Sequence, residues 1–107
     1  MIYRVTARFK TETAVDLLRQ LGENSIAAQQ PDGQEIVASL HRAVVTGANT
    51  VRWTERCFCD PPLAHERETI LDRYFGDITT EPVEDYERYA GKPFVEHLKK
   101  LQENKPV

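Results

Sequence analysis

Residues 50–76 read TVRWTERCFCDPPLAHERETILDRYFG. The opening part alternates: Val51, Trp53, Glu55, Cys57 and Cys59 share one side, and Arg52, Thr54 and Arg56 the other. That two-residue period predicts a strand. Asp60-Pro61-Pro62 marks its end, because Asp is a favourable N-cap and proline is tolerated in a first helical turn. Leu63, Ile70, Leu71, Tyr74 and Phe75 then recur as the apolar side of a helix that Gly76 ends. A long strand turning sharply into an amphipathic helix makes the chain a mixture of α and β.

Working outward, Thr46-Gly47-Ala48-Asn49-Thr50 supplies turn residues, so 43–46 and 50–59 read as a hairpin. Before it, PDGQEIVASLHRAVV is ambiguous: as a strand it would put apolar residues on both faces, and as a helix over about 33–42, the preferred reading, it has Asp32 as cap, Glu35 closing a capping box, and Ile36, Val37, Leu40 and Val44 on one face. Residues 2–9, IYRVTARF, alternate without interruption and predict a strand that is apolar on the side of Tyr3, Val5, Ala7 and Phe9. Between these, Ala14, Leu17, Leu18 and Leu21 form a helix stripe over about 12–21, with Thr13 and Asp16 as a weak capping box and Gly22 suited to a left-handed end. After Gly76, residues 77–83 read as a short edge strand, since Pro82 cannot serve a central ladder position. The tail predicts two short helical pieces broken at Gly91-Lys92-Pro93, with a frayed end over about 103–107.

The predicted order is β–α–α–β–β–α–β–α. Without the second helix it becomes βαββαβ, the ferredoxin-like split unit. The expected fold is therefore α+β: a mostly antiparallel sheet with helices on one face, an inserted helix and a C-terminal helix. With 107 residues, one domain over 1–107 is the expectation.

Charge narrows the function classes. Fourteen Lys+Arg against seventeen Asp+Glu give a net charge of −3. The local basic excess is Arg4, Arg8 and Lys10, too little for a phosphate-binding field, so nucleic acid is disfavoured as a partner. No apolar run approaches the roughly 18 residues of a membrane span. The N-terminus alternates at once, unlike a signal peptide. The expected compartment is the cytoplasm, with both cysteines reduced.

Polar chemistry concentrates at 55–67. Cys57, Cys59, Asp60, His65 and Glu66 are all of metal-ligating type, and i, i+2 positions on a strand share a face. Structural zinc sites, however, use CxxC turns with a second matching pair, which this chain lacks; buried, reduced strand cysteines are the expectation, and no metal or cofactor is assigned. Cys59 precedes a helix start, whose dipole favours a thiolate, while Asp60 opposes it. At about 100° per residue, His65 points to solvent and Arg67 falls on the apolar face. Glu55 lies on the inward face of the strand, so a partly buried Glu55–Arg67 ion pair is predicted, because a lone buried charge costs several kcal/mol. Such a pair either fixes helix on sheet or forms the polar floor of a ligand pocket. His41 and His97 fall on polar helix sides. The chain has no phosphate-loop or dinucleotide glycine pattern, and neither Ser25 nor Ser39 sits in a nucleophile elbow. The acidic run Glu81 to Glu87 reads as a solvated face and helix start. Tyr86, Tyr89 and Phe94 beside it offer a surface for a homodimer that closes the sheet edge.

The segments SIAAQQPDGQEIVASLHRA and VRWTERCFCDPPLAHERETILDRYF resemble those of a family of small uncharacterised bacterial proteins, over roughly 2–98. The CxC followed by PLAHER is the most distinctive part. The resemblance implies a small α+β domain of bacterial origin and brings no activity, cofactor or site residue. The residues leave three readings open. The first is a module that binds a small molecule or a protein. The second is a small enzyme in which Cys59, His65 or Glu66 moves protons while Arg67 holds an anionic substrate, with Glu55 and Arg67 as the ligand-binding candidates. The third is a metal or thiol redox protein using Cys57 and Cys59.

Overall fold

The structure, a computed structural model, describes residues 1–28, 33–58 and 61–103. Strand β1 spans Ile2–Phe9, and its Val5, Ala7 and Phe9 are buried on one side. A 3-10 turn at Thr11–Thr13 leads into α1, Ala14–Gly22, and α2 follows at Gly33–Arg42. Strand β2 is only Val44–Val45, and β3 is Thr50–Arg56. The next helix comes in three parts: α3 (Ala64–Glu66), a π-helical turn (Arg67–Leu71) and α4 (Asp72–Tyr74). Strand β4 runs Phe75–Val83, β5 is Lys92–Pro93, and α5 is Phe94–Glu103.

The sheet order is β4-β1-β3-β2-β5 and every pairing is antiparallel. Tyr3 lies opposite Glu55 and Val5 opposite Trp53, so the alternating faces of β1 and β3 coincide. All helical segments feed one core against that face: Leu17 from α1, Ile36 and Leu40 from α2, Ile70 and Leu71 from the π-helical turn, Tyr74 from α4, Phe94 and Leu98 from α5. Its centre is aromatic, with Phe94 edge-on to Phe9 at 5.1 Å between centroids and Phe75 tilted on Trp53 at 5.2 Å. Such contacts add about 0.5–1.5 kcal/mol each beyond the area they bury.

Several expectations need correcting. Thr13 makes no side-chain cap; its hydroxyl donates back to Lys10 O at 2.6 Å. Gly22 stays helical, and Asn24 takes the left-handed conformation (φ 59°), which Asn tolerates. The predicted cap Asp32 lies outside the described residues. Gly76 does not end the helix: Phe75 is already extended, and β4 is a nine-residue strand. The first predicted tail helix does not form. Residues 84–91 instead cross the outer face of the sheet as a strap, because Glu87 bonds to Arg4 and Thr54 (Arg4 Nε to Oε1 3.0 Å, Arg4 Nη2 to Oε2 3.1 Å, Glu87 N to Thr54 Oγ1 3.2 Å). Tyr89 donates to the same carboxylate at 2.8 Å. No helix is long and apolar enough to cross a membrane among the described residues.

Candidate functional site

Strand β3 and α3 face each other, and their charged residues meet differently from the prediction. Glu55 is 1% exposed, and its Oε1 accepts a 2.7 Å hydrogen bond from Trp53 Nε1. The residue that comes near it from the helix is Glu66, itself fully buried, whose carboxyl acts on that of Glu55. Arg67 is on the other side of the turn, 46% exposed, with Nε donating to Asp72 Oδ1 at 3.2 Å. The predicted Glu55–Arg67 pair is thus replaced by a Glu55–Glu66 pair.

The helix phase explains the difference. Leu63 packs into the core from a left-handed conformation (φ 63°) ahead of the helix, so it is not part of the helical stripe. Without Leu63 the buried set is Glu66, Ile70, Leu71 and Tyr74, and Glu66–Ile70–Tyr74 is an i, i+4, i+8 row. The π-helical turn adds a residue at that point and turns Arg67 outward. The i+4 row is visible in the sequence and was the signal for Glu66 as the inward residue.

Burial pushes the Glu55 carboxyl well above the usual carboxylate range, and the Glu66 hydrogen bond and charge push it further. The Trp53 bond opposes the shift; Glu35 on α2 reinforces it. Glu35 is held nearby as an acceptor for Arg56 N–H at 2.7 Å and Tyr86 O–H at 2.9 Å, with Arg42 at 3.5 Å. Tyr86 also lies under the Arg42 guanidinium, 4.6 Å from ring centroid to Cζ. Tyr86 and Tyr89 therefore fold back on their own sheet, and the Glu81–Glu87 run is not simply a solvated face: Glu81 and Glu87 both pair with Arg4.

The remaining candidates scatter. Cys57 is buried just past the end of β3, which stops at Arg56 rather than running on to 59, whereas Cys59 and Asp60 lie outside the described residues. His65 is half-buried. His41 is exposed; His97, expected on a solvated side, is half-buried, with its pKa lowered by burial and by Lys92. Among the described residues no three of His, Cys, Asp and Glu come together as a metal-binding group.

Outside the acid pair, a cleft of about 420 Å³ separates the α3–α4 segment from β4. Pro61, Pro62, Ala64 and Ile78 give it apolar walls, and Arg67, Glu68, Asp72 and Thr80 stand among them. One helical turn therefore presents Glu66 to the core and Arg67 to the cleft. A second open hollow, about 630 Å³, lies at the end of the sheet between Met1, Ile2, Phe58 and Val83, where Phe58 is 84% exposed. No family model, curated protein or solved structure matches the chain.

Proposed function

We propose that this protein is a ligand-binding module that takes a small organic anion in the cleft between α3–α4 and β4. The observation that carries this reading is the position of Arg67. It stands in a concave cleft with Pro61, Pro62, Ala64 and Ile78 as apolar lining, and it is the cation there beside Glu68, Asp72 and Thr80. A guanidinium presents five N–H donors in a planar fork suited to a carboxylate or phosphate, and Asp72 engages Nε. Binding fits better than catalysis because Glu55, Glu66 and Cys57 turn into the core, away from the cleft where Arg67 stands.

The reading places the chain in the cytoplasm, with a ferredoxin-like βαββαβ topology extended by one helix and a C-terminal strand–helix unit. It keeps the resemblance to the small bacterial family with the CxC and PLAHER segment. A dimer along the sheet edge has little support: Pro82 and the register shift opposite Thr6–Arg8 interrupt β4, and β5 has two residues.

Thermal-shift and calorimetric titration with benzoate, inorganic phosphate and neutral benzamide test the proposal. Ligand at about 100 times its Kd adds about 2.7 kcal/mol of stability whatever the mechanism. Stabilisation by benzoate or phosphate but not benzamide, lost at least tenfold in Arg67→Gln, is the expected result. The Arg67–Asp72 pair is exposed and contributes about 0–1 kcal/mol, so the variant stays folded. No stabilisation by either anion, or equal binding by the variant, overturns the reading.

A further inference from the structure

The 84–91 strap is held to the sheet by side chains. Among the described residues it makes no backbone–backbone hydrogen bond, and none of its side chains joins the core. Its anchor is Glu87, whose carboxylate forks onto Arg4 (Nε to Oε1 3.0 Å, Nη2 to Oε2 3.1 Å) and accepts from the Tyr89 hydroxyl at 2.8 Å. The Glu87 N–H donates to the Thr54 hydroxyl at 3.2 Å, and that hydroxyl lies 3.3 Å from the Glu87 carbonyl. The Tyr89 and Arg4 bonds lower the Glu87 pKa, so the ionised form is the one held. A guanidinium gripping a carboxylate with two parallel N–H groups is the geometry of ligand recognition, here occupied by the chain's own residue.

Beneath the strap, β1 and β3 carry one arginine on each rung of the outer face. The register pairs Arg8 with Thr50, Thr6 with Arg52, Arg4 with Thr54 and Ile2 with Arg56. Successive rungs on one face are about 6.8 Å apart, two residues at about 3.4 Å each. An extended chain with an acidic residue at every second position has the same repeat. From β4, Asp77 pairs with Arg8 and Glu81 with Arg4. The β3 side is left in positive surplus. Arg52 donates Nε to Thr6 Oγ1 at 3.3 Å and lies 5.7 Å from the Tyr89 ring centroid, with no carboxylate on it among the described residues, and Arg56 is exposed.

We propose that the outer face of β1 and β3 docks an extended acidic segment of a partner protein, and that the strap is the internal competitor for that face, with Glu87 where a partner carboxylate sits on Arg4. A tethered segment competes at an effective concentration of about millimolar, so the strap turns away single weak anions. It yields to a chain that meets Arg56, Arg4 and Arg52 together, and its departure uncovers no core, because it contributes nothing to the core. The surface does not rest on the Arg67 reading. The cleft is walled by Ile78 and Thr80 of β4, which alternate with the Thr79 and Glu81 that lie beside Thr6 and Arg4 on the strap side.

Calorimetric titration at low ionic strength tests the proposal, with an acetylated and amidated Glu-Thr repeat peptide as probe and its Gln-Thr counterpart as control. The proteins are the wild type, Glu87→Gln, Glu87→Gln/Arg52→Gln and Glu87→Gln/Arg67→Gln. The Glu-Thr peptide is expected to bind Glu87→Gln at least about threefold more tightly than the wild type, the scale of one exposed charge pair. Arg52→Gln should remove at least about the same factor, Arg67→Gln should change nothing, and the Gln-Thr peptide should not bind. No gain in Glu87→Gln, no loss with Arg52→Gln, loss with Arg67→Gln, or equal binding of the Gln-Thr peptide overturns the proposal. So does equal binding of inorganic phosphate or a short oligothymidylate, which would make the face a general anion site. Should Glu87→Gln not fold, heteronuclear NMR titration of the wild type decides. The Glu-Thr peptide then has to move the signals of Arg4, Glu87 and Tyr89, and signals that stay in place overturn the proposal.

Discussion

Replacing Trp53 with phenylalanine removes the N–H that donates to the buried Glu55 carboxyl. Trp53 is 1% exposed, its Nε1 is 2.7 Å from Glu55 Oε1, and its ring packs on Phe75. Phenylalanine keeps a ring against Phe75 and removes the N–H and part of the indole. An unsatisfied buried acceptor costs about 1–3 kcal/mol. The space left adds about 1–2 kcal/mol, scaled from the roughly 3–5 kcal/mol of complete aromatic truncation. Together these amount to about 2–5 kcal/mol out of a typical total of about 5–15 kcal/mol. The indole bond favours the ionised form of Glu55, so its loss destabilises more at higher pH, where that form is more populated. With an m-value of about 1–3 kcal/mol/M, the urea midpoint is expected to fall by about 1–2 M, and further at pH 8 than at pH 5. A loss below about 1 kcal/mol, equal at both pH values, would show that the indole does not hold this carboxyl.

Three other substitutions probe the frame around the site. Gly91 has φ 153° and a Cβ there would come 2.5 Å from Val45 O, so Gly91→Ala should lose about 1–3 kcal/mol by thermal denaturation; an unchanged melting temperature contradicts the β2–β5 pairing. Tyr74 donates to Asp16 Oδ2 at 2.6 Å, and this bond, ahead of Arg19, lowers the Asp16 pKa. With Asp16 37% exposed, Tyr74→Phe should cost about 0.5–1 kcal/mol near neutrality. That cost vanishes as the pH falls below the ordinary aspartate value of 3.8 through the lower folded one, and a cost that persists in acid denies the bond. Phe94→Ala removes a fully buried ring from the Phe9–Phe75 cluster and should cost about 3–5 kcal/mol in urea unfolding; a loss under 1 kcal/mol contradicts the docking of α5.

How far the sequence could be read depended on the range of the contacts that decide each element. The β1 strand was legible almost to the residue, because an uninterrupted two-residue period is a local signal, whereas 33–42 allowed helix or strand and is the helix α2. The 84–91 strap was not, since an acidic run with tyrosines looks like a helix start until Glu87 meets Arg4, 83 positions away. The site failed for a subtler reason. Including Leu63 in the helical stripe rotated the assumed inward face onto Arg67, and a preference for opposite charges made the resulting pair attractive. Glu55 was placed correctly on the inward face of β3, so the location was legible and the partner was not.

Carbon-detected NMR titration of the glutamate side-chain carboxyls tests most directly that Glu55 and Glu66 meet in the core. The Glu55 carboxyl is expected to stay protonated well above its ordinary value of 4.5. If Glu55 instead titrates near that ordinary value, its burial beside Glu66 is wrong.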